Sequence, residues 1–159
     1  MPQRFSWILP QELAVGSFPD ATSSVGKLRR MNITAVLCLN QETESSVPAE
    51  VYHQFLWERV AIPDGNTGGI PDLAHFAQAL EILTRWRNKG HTVYVHCLAG
   101  VGRSPSVCAA YLVHQHNMPL DEAIQFVKDR HSFAAPDQHQ VRVMKQFFST
   151  VNSEIPTVN

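Results

Sequence analysis

The stretch that most constrains the fold is a nine-residue segment between an apolar run and a helix-like run. Residues 96–104 read His-Cys-Leu-Ala-Gly-Val-Gly-Arg-Ser; residues 92–95 are Thr-Val-Tyr-Val, and residues 105–113 begin with proline and are mostly apolar. This order predicts a strand, a glycine-bearing loop and a helix. Such a loop presents successive backbone N–H groups and a helix N-terminus, which together form an anion site.

A cysteine and an arginine stand at the two ends of this loop. A helix N-terminus and nearby positive charge favour the thiolate, the nucleophilic form of a cysteine. Arg103 can hold two phosphate oxygens with its planar guanidinium while it stays charged. Gly100 and Gly102 lack Cβ, so the backbone can approach an anion closely, including at positive φ. Cys97 and Arg103 therefore predict a nucleophile beneath a cradle for a tetrahedral phosphoryl group.

The motif His-Cys-x5-Arg-Ser resembles the signature loop of the cysteine-dependent protein tyrosine phosphatase superfamily, and the chain's size and layout resemble its dual-specificity branch. The resemblance implies hydrolysis of phosphate monoesters through a cysteinyl-phosphate intermediate, with Cys97 as nucleophile and no metal or cofactor. It also implies that backbone N–H groups and Arg103 hold the phosphate oxygens. The predicted phosphate loop consists of Leu98, Ala99, Gly100, Val101, Gly102 and Arg103. The alternative is a buried cysteine at a strand end, followed by an ordinary glycine turn.

The leaving oxygen needs a proton, and the resemblance implies that an aspartate on a loop ahead of the signature supplies it. Asp64 begins the glycine-rich part of segment 63–71, and Asp72 stands at the start of a predicted helix. Asp72 could equally be a helix N-cap, and Asp64 an ordinary turn residue. The spacing in the resembled family favours Asp64, so we expect Asp64 to act as general acid and then as base.

Three further residues near the predicted nucleophile have more than one interpretation. His96 adjoins Cys97 on a strand, so it should point to the opposite face; the resemblance implies that it hydrogen-bonds the loop backbone. Ser104 could donate to the Cys97 sulfur, cap the following helix, or do both. Cys38, in a predicted buried strand, is either a small core residue or, as in some resembled proteins, a disulfide partner that protects Cys97.

Hydrophobic periodicity predicts alternating strands and helices around this loop. Strands are expected over residues 5–9, 13–17, 33–39, 55–62 and 92–95, and helices over residues 22–31, 48–53, 72–88, 105–113, 120–130 and 137–151. The fold class is therefore α/β, a central, mostly parallel mixed sheet of four to five strands with helices on both faces. Gln138 and Gln140 fall at the start of the last helix, although some resembled proteins carry a glutamine there that orients the hydrolytic water.

Composition limits the number of domains, the classes of partner and the cellular compartment that we expect. The 159 residues are 44% hydrophobic and 17% charged with a formal net charge of −1, so we expect one catalytic domain over residues 1–159 without nucleic-acid partners. No apolar run is long enough to span a bilayer and no signal segment is evident, so we expect no membrane partner. Three cysteines without zinc-like spacing predict neither a disulfide framework nor a metal site. We expect a monomer in the cytoplasm.

The sequence constrains the identity of the substrate less closely than it constrains the type of reaction. Leu98 and Val101 stand where resembled phosphoinositide phosphatases tend to carry lysines, which argues against an inositol lipid. The run Gly-Val-Gly-Arg-Ser is similar to that of tyrosine phosphatases, so the expected partner is a phosphorylated protein, with phosphotyrosine ahead of phosphoserine and phosphothreonine. Phosphoglucans and RNA 5′-phosphates stay open. Two other functions also stay open: a phosphate-binding adaptor without turnover, and a sulfurtransferase or arsenate reductase.

Overall fold

The computed structural model describes residues 3–64 and 69–154 of the chain. The middle of the predicted glycine-rich segment, residues 65–68, lies outside the described residues. Five strands and six helices occur among the described residues. In chain order they are β1 (Phe5–Leu9), β2 (Leu13–Ser17), α1 (Thr22–Arg30), β3 (Ala35–Cys38), α2 (Glu50–Gln54), β4 (Leu56–Arg59), α3 (Leu73–Asn88), β5 (Val93–Cys97), α4 (Arg103–His116), α5 (Leu120–Arg130) and α6 (Gln138–Glu154).

The strands form one sheet in the order β1-β2-β5-β3-β4. β1 runs antiparallel to β2, and every other neighbouring pair is parallel. Parallel neighbours need crossover connections, which place helices on the faces of the sheet. The predicted fold class, an α/β arrangement with a mostly parallel mixed sheet, is confirmed. No helix among the described residues has the length and apolar character needed to cross a membrane.

The central strand β5 is buried on both faces and contributes to two cores. Val93, Val95 and Cys97 pack into the larger core, together with residues of α3, α4, α5 and α6. Tyr94 packs into the smaller core, beneath α1 and α2. Because side chains alternate along a strand, His96 lies on the Tyr94 face and points away from Cys97.

The start of α4 differs from the sequence prediction. The helix begins at Arg103, and Pro105 lies within its first turn, where a missing N–H breaks no intrahelical hydrogen bond. Gly102 occupies the N-cap position and no side chain caps this end. The prediction that Ser104 caps the helix is therefore wrong, because Ser104 is already inside it. β3 and β4 are also shorter than the strands predicted over residues 33–39 and 55–62.

Candidate active site

The loop between β5 and α4 forms the floor of a cavity of about 370 Å³. Cys97 ends β5 and is 3% exposed, and Arg103 begins α4 and is also 3% exposed. The loop therefore carries both ends of the predicted motif into one recess at the C-terminal edge of the sheet. Besides loop residues, the cavity is lined by Asp64, Ala135, Asp137 and Gln140.

Carbonyl groups of this loop are held from outside. The backbone N–H of Phe18 donates to Leu98 O at 3.2 Å, and the N–H of Ala135 donates to Val101 O at 2.7 Å. In a planar trans peptide, the C=O of one residue and the N–H of the next point in opposite directions. Each N–H that follows such a carbonyl therefore points away from the donor that holds the carbonyl.

Two side chains from distant segments hold the middle carbonyls in the same way. Arg4 Nη1 donates to Ala99 O at 3.0 Å, and the Arg4 guanidinium lies 4.0 Å from the ring centre of Phe133. His131 Nε2 lies 2.7 Å from Gly100 O. The segment before β1 and the α5–α6 connection thus support the loop from behind.

The two loop glycines are required for different reasons. Gly100 has φ +75°, and a Cβ there would lie 2.7 Å from the backbone carbon of Gly16. Gly102 has φ −111°, but a Cβ there would lie 2.8 Å from the Gln140 side-chain amide. Gly100 therefore allows both a left-handed conformation and a close backbone approach, whereas Gly102 leaves room for Gln140 beside the cavity.

Arg103 is fixed by a carboxylate that the sequence analysis missed. Its Nη1 and Nη2 donate to the two Glu44 carboxylate oxygens at 2.8 and 2.6 Å, and Nη1 also donates to Ile62 O at 2.9 Å. Burial opposes the charge of Arg103, but the Glu44 hydrogen bonds together with the nearby negative charges of Cys97, Glu44 and Asp64 outweigh burial and raise the Arg103 pKa. Burial likewise raises the pKa of Glu44, yet the bonds from Arg103 and the Gln41 N–H lower it overall. Both groups are therefore charged at neutral pH.

The structure separates the two candidate aspartates. Asp64 lines the cavity, and its Oδ2 lies 3.6 Å from Arg103 Nη2. Asp72 is the N-cap of α3: its Oδ1 accepts from the His75 N–H at 3.2 Å, and His75 Nδ1 accepts from the Asp72 N–H at 3.0 Å. This reciprocal capping box accounts for Asp72 as a structural residue. Asp64 is the aspartate placed beside Cys97 and Arg103.

The immediate neighbours of Cys97 are a hydroxyl and an imidazole with different orientations. Ser104 Oγ lies 3.2 Å from Cys97 Sγ and 3.1 Å from Gly16 O, and its one hydrogen can be donated to either of them. His96 Nδ1 lies 3.2 Å from Cys97 O, so this side chain contacts the backbone and not the sulfur. Burial lowers the pKa of His96 to about 4, so the imidazole is neutral at neutral pH.

Cys38 is not placed to protect Cys97. The parallel register puts Cys38 beside His96, so its side chain lies on the sheet face opposite that of Cys97. Two cysteines whose side chains point apart cannot form a disulfide without backbone movement. The hypothesis of a Cys38–Cys97 disulfide is therefore wrong for this geometry, and the core-residue alternative holds. Cys38, Cys97 and Cys108 are free thiols, and burial raises the pKa of Cys38.

Asn40, which the sequence analysis did not single out, and Gln140, which it placed at a helix start, both adjoin the loop. With its amide oriented to suit its neighbours, Asn40 donates to Cys97 O at 3.2 Å and accepts from the Leu98 N–H at 3.1 Å. Gln140 Oε1 accepts from the Asp137 N–H at 2.8 Å, and Asp137 Oδ1 accepts from the Gln140 N–H at 2.8 Å. Gln140 therefore lies in the first turn of α6, at the helix start as predicted, and lines the cavity as well. The described residues include no group of three or more His, Cys, Asp or Glu side chains placed to hold a metal ion.

Comparison with known proteins gives this geometry a family context. Residues 13–150 match the family described as dual specificity phosphatase, catalytic domain. Dual specificity protein phosphatase 5 of Rattus norvegicus is 30% identical over 130 residues, which cover 82% of this chain and 32% of that protein. The phosphatidylglycerophosphate phosphatase PTPMT1 of Arabidopsis thaliana is 32% identical over 106 residues, which cover 67% of this chain and 32% of that protein. The chain thus spans about a third of the length of these relatives.

Solved structures show the same architecture. The crystal structure of a human tyrosine phosphatase-like serine/threonine/tyrosine-interacting protein superposes with a TM-score of 0.83 at 21% identity. The superposition covers 95% of this chain and 99% of the human one. At this identity the similarity concerns the fold.

Proposed function

This chain belongs to the dual specificity phosphatase family, and on that premise we propose that it hydrolyses phosphate monoesters through a cysteinyl-phosphate intermediate. One observation carries the proposal. Cys97, Arg103 and Asp64 line a single cavity, over a loop whose carbonyls are held away from it. A nucleophile, a cation and a carboxyl group thus line one cavity.

In the first step the Cys97 thiolate attacks phosphorus and the bond to the leaving oxygen breaks. Asp64 gives its proton to that oxygen, which leaves as an alcohol or phenol. The backbone N–H groups of residues 99–103 and the Arg103 guanidinium bind the three equatorial oxygens, whose charge shifts in the transition state. We leave the Leu98 N–H out of this cradle because it donates to Asn40.

In the second step a water molecule attacks the phosphorus of the cysteinyl phosphate. The Asp64 carboxylate takes a proton from this water, the S–P bond breaks, and inorganic phosphate leaves with the thiolate restored. The Ser104 hydroxyl, 3.2 Å from the sulfur, can donate a hydrogen bond to the departing thiolate. No step requires a metal ion or a cofactor.

The proposed substrate is a phosphorylated protein, with phosphotyrosine ahead of phosphoserine and phosphothreonine. Among the described residues that line the cavity, Arg103 is the one lysine or arginine. Leu98, 36% exposed, adds apolar surface beside it, and Val101 and Ala135 add more. A polyanionic head group would need further cations, whereas a phenyl ring gains free energy from apolar contact.

A phosphate monoester outside proteins is the second candidate. The observation that favours it is the similarity to the plant relative named as a phosphatidylglycerophosphate phosphatase. Such a substrate would place glycerol and acyl chains, not an aromatic ring, against Leu98. A panel with phosphopeptides, phosphatidylglycerophosphate, phosphoinositides and phosphoglucan separates the two candidates by kcat/KM.

We also propose that the domain acts as a monomer in the cytoplasm. Its three cysteines are free thiols, and a cysteine nucleophile requires a reducing compartment. The net charge of −1 supports neither a nucleic-acid nor an anionic membrane partner. Size-exclusion chromatography and cell fractionation test these two statements.

The direct test of the function is hydrolysis of an aryl phosphate by the wild type and by Cys97→Ser and Cys108→Ser. We expect vanadate-sensitive turnover by the wild type, no turnover by Cys97→Ser, and full turnover by Cys108→Ser, since Cys108 does not line the cavity. A Cys97→Ser protein as active as the wild type would overturn the proposal. A wild type that binds vanadate without turnover would show a phosphate-binding adaptor instead.

A further inference from the structure

His131 is a buried histidine outside the proposed chemistry, and both of its ring nitrogens have partners. It lies between α5 and α6 with 1% of its surface exposed. Its Nε2 is 2.7 Å from Gly100 O, and its Nδ1 is 2.7 Å from Ser6 Oγ on β1. These contacts tie an edge strand to the middle of the phosphate loop.

The partners determine which nitrogen carries the hydrogen. A carbonyl oxygen can only accept, so Nε2 must donate to Gly100 O. Burial lowers the pKa of His131, which favours the neutral imidazole with a single N–H. Nδ1 then accepts the hydroxyl hydrogen of Ser6. The Gly100 carbonyl therefore selects the Nε2–H tautomer, and the Ser6 hydroxyl donates to Nδ1 and holds the ring in place.

The hydrogen bond from His131 determines the direction of one peptide in the loop. Gly100 has φ +75°, a conformation that glycine adopts freely, so its own residue type restrains the peptide weakly. With Gly100 O held toward His131, the planar trans peptide turns the Val101 N–H the opposite way, toward the cavity that Val101 lines. Without the donor, this peptide could rotate and aim a carbonyl at the phosphate oxygens.

We propose that Ser6 and His131 are positioning residues for the phosphate loop, acting as a relay from Ser6 through His131 to the Gly100–Val101 peptide. Neither side chain is among the described residues that line the cavity, so neither touches the substrate. The inference rests on the proposed function because it concerns binding of the same phosphoryl group. It adds two residues that the signature motif does not contain.

The relay is tested with three variants and one matched control pair. His131→Leu removes the donor at similar volume, while His131→Gln can keep an N–H near the Nε2 position. Ser6→Ala removes the hydroxyl that holds the His131 ring in place. The control is the Thr34–His91 pair, in which Thr34 Oγ1 lies 3.0 Å from His91 Nδ1. Thr34 precedes β3 and His91 precedes β5, so this pair lies at the end of the sheet opposite the phosphate loop. The control variants are Thr34→Ala and His91→Leu.

We measure kcat and KM for an aryl phosphate, the inhibition constant for inorganic vanadate, and unfolding by denaturant. His131→Leu should lower kcat and vanadate affinity by about 10- to 100-fold, because a misdirected loop N–H loses transition-state binding. His131→Gln should recover most of both, Ser6→Ala should fall between, and the control variants should keep wild-type kcat and vanadate affinity.

Two results would overturn the proposal: a folded His131→Leu protein with wild-type kcat and vanadate affinity, or equal losses in His131→Gln and His131→Leu. If His131→Leu does not fold, the relay is tested by Ser6→Ala and by the ¹⁵N NMR spectrum of the wild type. The spectrum should show the Nε2–H tautomer of His131, and the Nδ1–H tautomer would refute the relay. A wild type that lacks turnover would overturn the proposed function alone, since vanadate affinity still reports on the loop.

Discussion

Removing the negative charge of Glu44 tests how Arg103 is held. The Glu44 carboxylate accepts two hydrogen bonds from Arg103, and the two side chains are 7% and 3% exposed. Deleting one partner of a buried ion pair costs about 3–5 kcal/mol. Glu44→Gln keeps one acceptor oxygen and similar volume, so we expect a loss of about 2–3 kcal/mol in the free energy of unfolding.

Activity should fall along with stability in this variant. Arg103 keeps its charge and its bond to Ile62 O, but it loses the two-point contact that fixes the plane of the guanidinium. Since transition-state binding depends on that orientation, we expect kcat for an aryl phosphate to fall by about 10- to 100-fold.

Glu42→Gln is the matched control for Glu44→Gln. Glu42 lies two residues away, its side chain is 89% exposed, and its Oε1 lies 3.9 Å from Arg59 Nη1. An exposed pair of this kind contributes less than about 1 kcal/mol, so stability and kcat should stay close to wild type. Urea unfolding followed by tryptophan fluorescence and steady-state kinetics measure both variants. Equal behaviour of the two would refute the role assigned to Glu44.

Three further predictions concern Asp64, Gly100 and His96. Asp64→Asn should lower kcat/KM far more for alkyl than for activated aryl phosphates, because only a poor leaving group needs the proton; equal losses across a leaving-group series would argue against a general acid. Gly100→Ala should destabilise the fold by about 2–4 kcal/mol and abolish turnover. The control is Gly90→Ala, since Gly90 has φ +83° and nothing lies within 4 Å of the added Cβ. This control should lose only about 1 kcal/mol in the free energy of unfolding, measured by denaturant melts. Burial lowers the His96 pKa to about 4, so protonation of His96 favours the unfolded chain. The stability that neutral His96 contributes is complete above pH 6.5 and is lost as the pH falls toward 4, with a total loss of up to about 3 kcal/mol. The pH dependence of unfolding should therefore flatten between pH 6.5 and 4.5 in His96→Asn, and an unchanged slope would contradict the assignment.

The sheet and most helices could be predicted because their signals are local. The apolar run before Cys97 and the glycines after it predict a strand and a loop without knowledge of any distant residue. The same information leaves helix starts uncertain by a residue or two, and so it led to the wrong prediction of a Ser104 cap. The structure places Arg103, not Pro105, at the first position of α4.

The support around the site could not be predicted because it comes from contacts distant in sequence. Glu44 is 59 residues from Arg103, and Arg4 is 95 residues from Ala99. Glu44 left one signal: it lies in a polar loop after a buried strand, and the C-terminal ends of neighbouring parallel strands meet at one edge. No sequence signal pointed to His131, since a lone histidine after an amphipathic helix is common in any fold.

Asp64 and Asp72 show what a sequence can leave open. Both follow a proline, and both have ordinary structural explanations. The capping box of Asp72 and the 3.6 Å approach of Asp64 to Arg103 distinguish them, and both observations depend on tertiary placement. Their chemistry is the same, so only position separates a helix cap from a proposed proton donor.

The central claim is that the phosphoryl group passes through the sulfur of Cys97, and trapping that intermediate tests it most directly. Asp64→Asn is mixed rapidly with an aryl phosphate, because loss of the base should slow water attack more than the first transfer from a good leaving group. The reaction is quenched and digested, and the peptide that contains Cys97 is examined by mass spectrometry. We predict one phosphoryl group on Cys97, formed with a burst of released phenol and absent from Cys97→Ser. A phosphoryl group on another residue, or turnover that persists in Cys97→Ser, would contradict the account.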